Sequence, residues 1–270
     1  DTLKSAKKAL VFNLLSDTFM LISMLLLFRQ YATLDIDTIL TSALVNGNAV
    51  FNIYGINLDY NLVVALSLSL AASIKSAQFI FHAWLPDSME APAPASALIH
   101  SATLVSAGIF LLTRLSNIWV KTSITLFCTT LAFKDFIILW GALTAAYGGL
   151  VAFRQTDLKR ILAYSTISHC GYMMVLVGSN DLNSLIFYFY IHGLYKALLF
   201  LVTGNIMRYF QPQDFRKMGN CWDKLPFECL VAVFGFLNLS GAPFSLGFSA
   251  KHLVASLSES SGLFSTVVLF

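Results

Sequence analysis

Charge is what this 270-residue sequence has least of: Asp, Glu, Lys and Arg make up 11% of it, where soluble chains average about 25%. With 57% hydrophobic residues and a mean hydropathy of +0.73, a water-soluble domain is excluded and a polytopic membrane protein is implied. The net charge of +3 is too small and too scattered for nucleic acid. Cysteine is sparse as well. Cys128, Cys170, Cys221 and Cys229 have no metal or redox spacing and read as buried, inert thiols. There is no glycine-rich nucleotide loop, no metal-ligand cluster and no pair of histidines on facing spans that would hold a haem. Electron transfer, if the protein takes part in it, is expected to be carried elsewhere. An initiator Met and a signal-peptide pattern are missing too, and the chain opens in a polar segment. A natural split product or a piece of a longer chain is expected.

What is there is a series of apolar runs. Spans are expected over residues 9–28, 61–81, 95–112, 135–153, 161–177 and 184–206. A seventh begins at 226–238, breaks at 239–245 and resumes from Gly247. Residues 84–94, rich in Pro and Ala, are expected to break the second span, and 29–60 reads as a polar connection. Residues 116–133 read as an interfacial amphipathic insert rather than a span. The fold class is therefore all-α: a polytopic membrane helix bundle with discontinuous transmembrane helices and no separate soluble domain.

Alternating these spans sorts the basic residues. Ten, among them Lys4, Lys7, Lys8, Arg154, Lys159 and Arg208, fall on one side, and Arg29, Arg114, Lys121 and Lys134 on the other. The first side is cytoplasmic, or matrix in a mitochondrion. Three lysines remain inside spans or at a break: Lys75, Lys196 and Lys251. A charge at bilayer depth costs about 2.5–3.5 kcal/mol on insertion scales. A helix break at depth must be buried in protein or line a wet cavity. Together these point to an ion or proton path.

Lys75 is expected on one helix face with Gln78 and His82, and Asp17, the one carboxylate deep in the first span, near Lys75 or at a water-filled face. His192 and Lys196 are four apart and stack on one face, flanked by Tyr188 and Tyr195, whose hydroxyls are suited to holding water. His100, on a Ser- and Thr-rich helix, is a candidate link between Lys75 and Lys196, or an interhelical hydrogen bond. Lys251 and His252 follow the second break, where Gly241, Pro243 and Gly247 free backbone carbonyls. His169 is expected to be satisfied by Ser165 or Thr166, and Trp84 and Phe81 to pack the first break.

The motifs themselves resemble a known family. They are Lys75-Ser76-Ala77-Gln78, the run from His82 to Pro92, Ser96 to Thr103 with Ala107-Gly108, Asp157 to Thr166, His192 with Lys196, and Gly241-Ala242-Pro243-Phe244 before Lys251. The chain is similar to NADH dehydrogenase subunit 5, the distal antiporter-like subunit family of respiratory complex I. The resemblance covers most of the chain. It implies two inverted helix bundles, with Lys75 as central lysine, His100 and Lys196 as connecting residues and Lys251 on the exit side; His192 and Asp17, from their places inside spans, are expected in the same proton relay. It implies a non-redox subunit of an H+-translocating NADH:ubiquinone reductase, multi-pass in the mitochondrial inner membrane or the bacterial plasma membrane. No cofactor is expected in this chain; NADH, FMN, iron–sulfur clusters and ubiquinone would lie in partner subunits. Other membrane-arm subunits, including a neighbouring antiporter-like one, are the expected partners, with cardiolipin among the lipids. Residues 1–270 would be the central part of the subunit. A glutamate partner of Lys75 would lie before Asp1, and the lateral helix and last spans after Phe270.

Some positions depart from the family pattern. Tyr188 stands where relatives often have a second histidine, His252 where an acidic residue is common, and Leu14 where an Arg is usual after Asn13. Two other readings stay open on the sequence: an independent Mrp-type cation/proton antiporter, which shares the Lys75 and His100 motifs, and a transport-inactive scaffold of the membrane arm.

Overall fold

In a computed structural model, the chain is described over residues 2–45, 50–53, 56–101, 103–126, 129–210 and 214–260. Helix α1 (Thr2–Tyr31) is longer than the expected span, because no Gly or Pro interrupts the sequence between its lysines and Arg29. Its buried residues are Ser16, Ser23 and Leu27, while Leu10, Leu14, Leu21 and Leu25 are exposed. Polar groups inward and leucines outward is the pattern of a helix solvated by lipid. Ser16 Oγ donates to Ala71 O of the neighbouring helix at 2.7 Å.

The polar connection after α1 is more ordered than expected. It holds α2 (Ile36–Val45), where Thr38 N–H donates to the Asp35 carboxylate at 3.2 Å. A hairpin follows, β1 (Val50–Ile53) with β2 (Ile56–Asp59), in register Val50↔Asp59 to Ile53↔Ile56.

Helix α3 (Tyr60–Lys75) starts on an Asp59 cap and stops at Lys75. The second span was expected to continue to 81 and break at 84–94; the break in fact comes directly after Lys75. Ser76 N–H donates to Ala72 O at 2.8 Å and Gln78 N–H to Ser73 O at 2.9 Å, around Ala77 at φ 49°. This is the left-handed helix ending that glycine usually supplies. The expected break region instead forms α4 (Trp84–Asp87) and a 3-10 turn at Ser88–Glu90. No Gly or Pro marks residues 76–83 as a break, so local chemistry hides it.

The third span holds α5 (Ala93–Ser101) and α6 (Leu104–Arg114). As expected, the 116–133 segment does not form a span. It consists of α7 (Ser116–Trp119) and a second hairpin, β3 (Ser123–Leu126) with β4 (Thr129–Ala132). The β-branched residues of 122–130 suit a short hairpin better than a helix. Cys128 lies outside the described residues.

Helices α8 (Phe133–Phe153), α9 (Leu158–Gly178) and α10 (Leu182–Phe210) then run close to the expected bounds. A Cβ on Gly171 would lie 2.5 Å from Ala145 N, so α8 and α9 touch backbone to backbone. A 3-10 turn at Phe215–Lys217 and α11 (Cys221–Lys224) lead to α12 (Pro226–Ser240) and α13 (Leu246–Ser260). Outside the spans, Arg216 hydrogen-bonds Asp214 and holds its carboxyl down at about 2. Cys170 is buried as expected, but Cys221 on α11 and Cys229 on α12 are only half-buried.

Among the described residues, five helices or helix pairs are long and apolar enough to cross a membrane: Thr2–Tyr31, Ala93–Arg114, Phe133–Phe153, Leu158–Gly178 and Leu182–Phe210. At 16 and 15 residues, α3 and α12 reach only about 22–24 Å. Each is one half of a broken span. The ends of the bundle sort as the basic residues suggest. Lys8 pairs with Asp87 at 2.7 Å at one end, and Arg114 with Asp37 at 3.2 Å at the other.

Candidate functional site

The two breaks are built alike and satisfied differently. At the first, Phe79 N–H donates to Thr144 Oγ1 at 3.0 Å. The freed carbonyls are taken by two indoles, Trp84 Nε1–H to Ile74 O at 3.1 Å and Trp140 Nε1–H to Phe79 O at 3.2 Å. Protein groups thus replace the helix bonds that lipid cannot. At the second, Gly241 (φ 73°) ends α12, and Ala242 N–H donates to Leu237 O at 3.0 Å. Lys251 reaches back from α13 and donates to Leu239 O at 2.8 Å and Ser240 O at 3.2 Å. Its ammonium sits on the negative end of the α12 dipole.

Lys75 closes α3 and donates to Asp17 Oδ1 of α1 at 2.8 Å. The helix ends there, so Lys75, Gln78 and His82 do not share a helical face as the sequence suggested. His82 turns instead toward α8, where its Nε2 meets Tyr147 OH at 3.0 Å. Lys8 and Lys159 pin the segment that follows, Lys8 through Asp87 and Lys159 through the Met89 and Ala91 carbonyls at 3.3 and 3.0 Å. Trp84 packs the break as expected.

The second group lies among α5, α9 and α10. Lys196 is fully buried and donates to Leu162 O at 3.1 Å and to Ser165 Oγ. Among the described residues no carboxylate accompanies it. His100 is buried, stacked on Phe200 with centroids 5.1 Å apart, and its Nε2 is 3.4 Å from Ser88 Oγ. His192 is buried one turn before Lys196 on α10, which packs against α5, the helix of His100.

The structure overturns the expected partners of His169. Ser165 is engaged by Lys196, and Thr166 donates to Leu162 O at 2.8 Å. His169 Nδ1 is instead shared by the Tyr188 and Tyr195 hydroxyls. Those hydroxyls therefore do not face water beside His192 and Lys196. The His169 and His192 rings lie 5.4 Å apart, so two histidines do face each other across spans, packed ring against ring. The signal available in the sequence was the i−4 and i+3 placement of the two tyrosines about His192, which turns them to the helix that carries His169.

Asp17 and Lys75 are thus joined directly, and His100, His192 and Lys196 are brought together. Lys251 lies on α13, which packs against both α9 and α10. Among the described residues, no hydrogen bond or ion pair joins Lys75 to the central group. Several buried polar atoms have no protein partner among the described residues: Ser73 Oγ, Gln78 Oε1 and His82 Nδ1 at the first break, and His100 Nδ1 and His192 Nε2 in the centre.

Two spans broken at depth, each break carrying a lysine, define an antiporter-like, multi-pass membrane protein. Residues 1–270 match the family described as NADH:quinone oxidoreductase/Mrp antiporter, TM, and the chain belongs to that family. NADH-ubiquinone oxidoreductase chain 5 of Paramecium tetraurelia is 47% identical over 260 residues, 96% of this chain and 44% of that protein. NADH-quinone oxidoreductase subunit L of Rickettsia typhi is 36% identical over 261 residues, 97% of this chain and 38% of that protein. The chain therefore spans less than half the length of these relatives. Among solved structures, the Mrp complex from Dietzia sp. DQ12-45-1b matches with a TM-score of 0.84 and 26% identity, over 98% of this chain and 28% of that one. Respiratory complex I from Thermus thermophilus with bound NADH shares the fold, with a TM-score of 0.79 at 23% identity over 99% of this chain and 55% of that one. The chain is a multi-pass protein of an inner membrane, mitochondrial or bacterial, as these relatives are.

Proposed function

We propose that residues 1–270 are the central part of a proton-translocating membrane-arm subunit of an NADH:quinone oxidoreductase. In this reading the chain is a non-redox subunit. NADH, FMN, iron–sulfur clusters and ubiquinone are held by partner subunits, and a neighbouring antiporter-like subunit and the lipid bilayer, cardiolipin included, surround it. Asp17 and Lys75 take up and hold a proton at the first break. His100, His192 and Lys196 pass it through the centre, and Lys251 releases it at the second break.

The observation that carries this reading is the placement of orphaned buried atoms on either side of the gap between Lys75 and Lys196. A buried polar group without a partner costs about 1–3 kcal/mol, and bound water is the usual remedy. Ser73, Gln78 and His82 on one side and His100 and His192 on the other would line such a water chain. Lys196 supports the role, because a buried ammonium with no counter-ion among the described residues is expensive and its charge state answers to small changes nearby.

The test is Lys75→Met and Lys196→Met in the intact complex. Each is expected to keep assembly and lower proton translocation coupled to NADH oxidation; normal coupled activity in both sinks the relay. The likeness to the Mrp complex favours one other reading, a cation/proton antiporter. A native gel stained for NADH dehydrogenase activity separates the two: peptides of this chain in the active band support the respiratory reading, and migration apart from it supports the antiporter.

A further inference from the structure

Resting on the relay just described, we propose that His169 is itself a proton-carrying member of the path, the node between the His192–Lys196 pair and Lys251, with Tyr188 and Tyr195 as its positioning residues. His169 is 4% exposed and sits in the middle of α9. Its ring is 5.4 Å from that of His192. Its helix, α9, packs against both α10, which carries Lys196, and α13, which carries Lys251, the two groups that the path has to join. The other titratable groups around it are Tyr172, with ring centroids 5.9 Å away, Cys170 beside it in the chain, and the two tyrosines.

The hydrogen bonding is what suits His169 to the task. One ring nitrogen, Nδ1, meets two hydroxyls, Tyr195 OH at 3.2 Å and Tyr188 OH closer still. When Nδ1 is bare, a tyrosine O–H donates to it; when Nδ1 carries a proton, it donates to a tyrosine oxygen. Neither state loses its hydrogen bond, so adding or removing the proton leaves no orphaned group behind. A histidine serving only to tie helices together needs one partner in one state. In the transfer, an N–H bond forms at the imidazole as the Lys196 side gives up a proton, and an N–H bond of the same ring breaks as the proton leaves toward Lys251. The ring returns to its starting charge, and no oxidant or reductant is involved.

The experiment uses the whole complex in sealed vesicles, with protons translocated per NADH as the readout and a native gel to verify assembly. Three variants are compared: His169→Gln, His169→Gln with Tyr188→His, and Lys196→Met. His169→Gln keeps a polar side chain of similar size but cannot carry a proton. It is expected to lower the ratio as far as Lys196→Met does. The double variant returns an imidazole to the same interface from α10 and is expected to restore most of the loss, which a packing role would not predict. If His169→Gln keeps the wild-type ratio while Lys196→Met loses it, the role of His169 is overturned and the relay stands. If both keep it, the relay itself falls. Should His169→Gln not assemble, Tyr188→Phe with Tyr195→Phe removes both hydroxyls and keeps the rings; a wild-type ratio there overturns the proposal.

Discussion

Lys75, the last residue of α3, holds the Asp17 carboxylate of α1 at 2.8 Å across 58 residues of sequence. The lysine side chain is 19% exposed and the aspartate 47%. The pair therefore lies at the flank of the bundle, with its carboxylate open on one side. Asp17→Asn removes the counter-ion and keeps the shape. It is expected to lower coupled proton translocation without loss of assembly, as measured by acidification of vesicles during NADH oxidation. An unchanged rate would remove Asp17 from the relay.

His100 should matter less than the lysines. Its imidazole is stacked on Phe200 and has one weak contact to Ser88. Water can bridge the space left by a smaller side chain. His100→Ala is expected to reduce coupled translocation by a smaller factor than Lys75→Met or Lys196→Met, and the ranking of the three variants in one assay checks it.

The first break depends on one hydroxyl. Thr144→Val removes the acceptor of Phe79 N–H while keeping the volume. A backbone donor left without a partner costs about 1–3 kcal/mol. The melting temperature of the purified complex is expected to fall, with the change localised by hydrogen exchange at residues 76–83. A melting temperature equal to wild type would mean that water or another group satisfies Phe79.

Lys251 bonds the Leu239 and Ser240 carbonyls as well as carrying charge. Lys251→Met should therefore differ from Lys196→Met in losing both translocation and stability. Hydrogen bonds from charged groups are worth about 1.5–3 kcal/mol each, so thermal unfolding is expected to shift downward for Lys251→Met. Equal melting curves for the two variants would show that the α12 carbonyls do not need the ammonium.

A side chain at Gly171 has nowhere to go. Its Cβ would lie 2.5 Å from Ala145 N and 2.6 Å from Gly141 O, both backbone atoms. Gly171→Val is expected to force α8 and α9 apart and abolish assembly on a native gel; normal assembly would mean that the two helices slide to make room.

Much of the bundle was legible because length and hydropathy decide what crosses a membrane. The runs that became α8, α9 and α10 were readable to within a few residues, since each is uninterrupted and flanked by charge or by a polar turn. The second break was readable too, from Gly241, Pro243 and Gly247. The first break was misplaced because what ends α3 is not a residue type. Ala77 and Ile80 take positive φ there, at 49° and 81°, only because Thr144, Trp140 and Trp84 supply hydrogen bonds from elsewhere in the chain. The hairpins were missed for a related reason: strand pairing joins residues that no helical or hydropathy period connects.

The sequence by itself determined that this is a membrane helix bundle with lysines and histidines at depth. Both facts follow from composition and from the cost of placing charge in lipid. Only the tertiary structure decided which of those groups meet. It set Asp17 on Lys75, gave Ser165 to Lys196 rather than to His169, and turned Tyr188 and Tyr195 to His169. Helical spacing fixes which face a side chain is on, whereas the neighbour on that face is set by how α9 and α10 pack, and that depends on the shape of every residue between them.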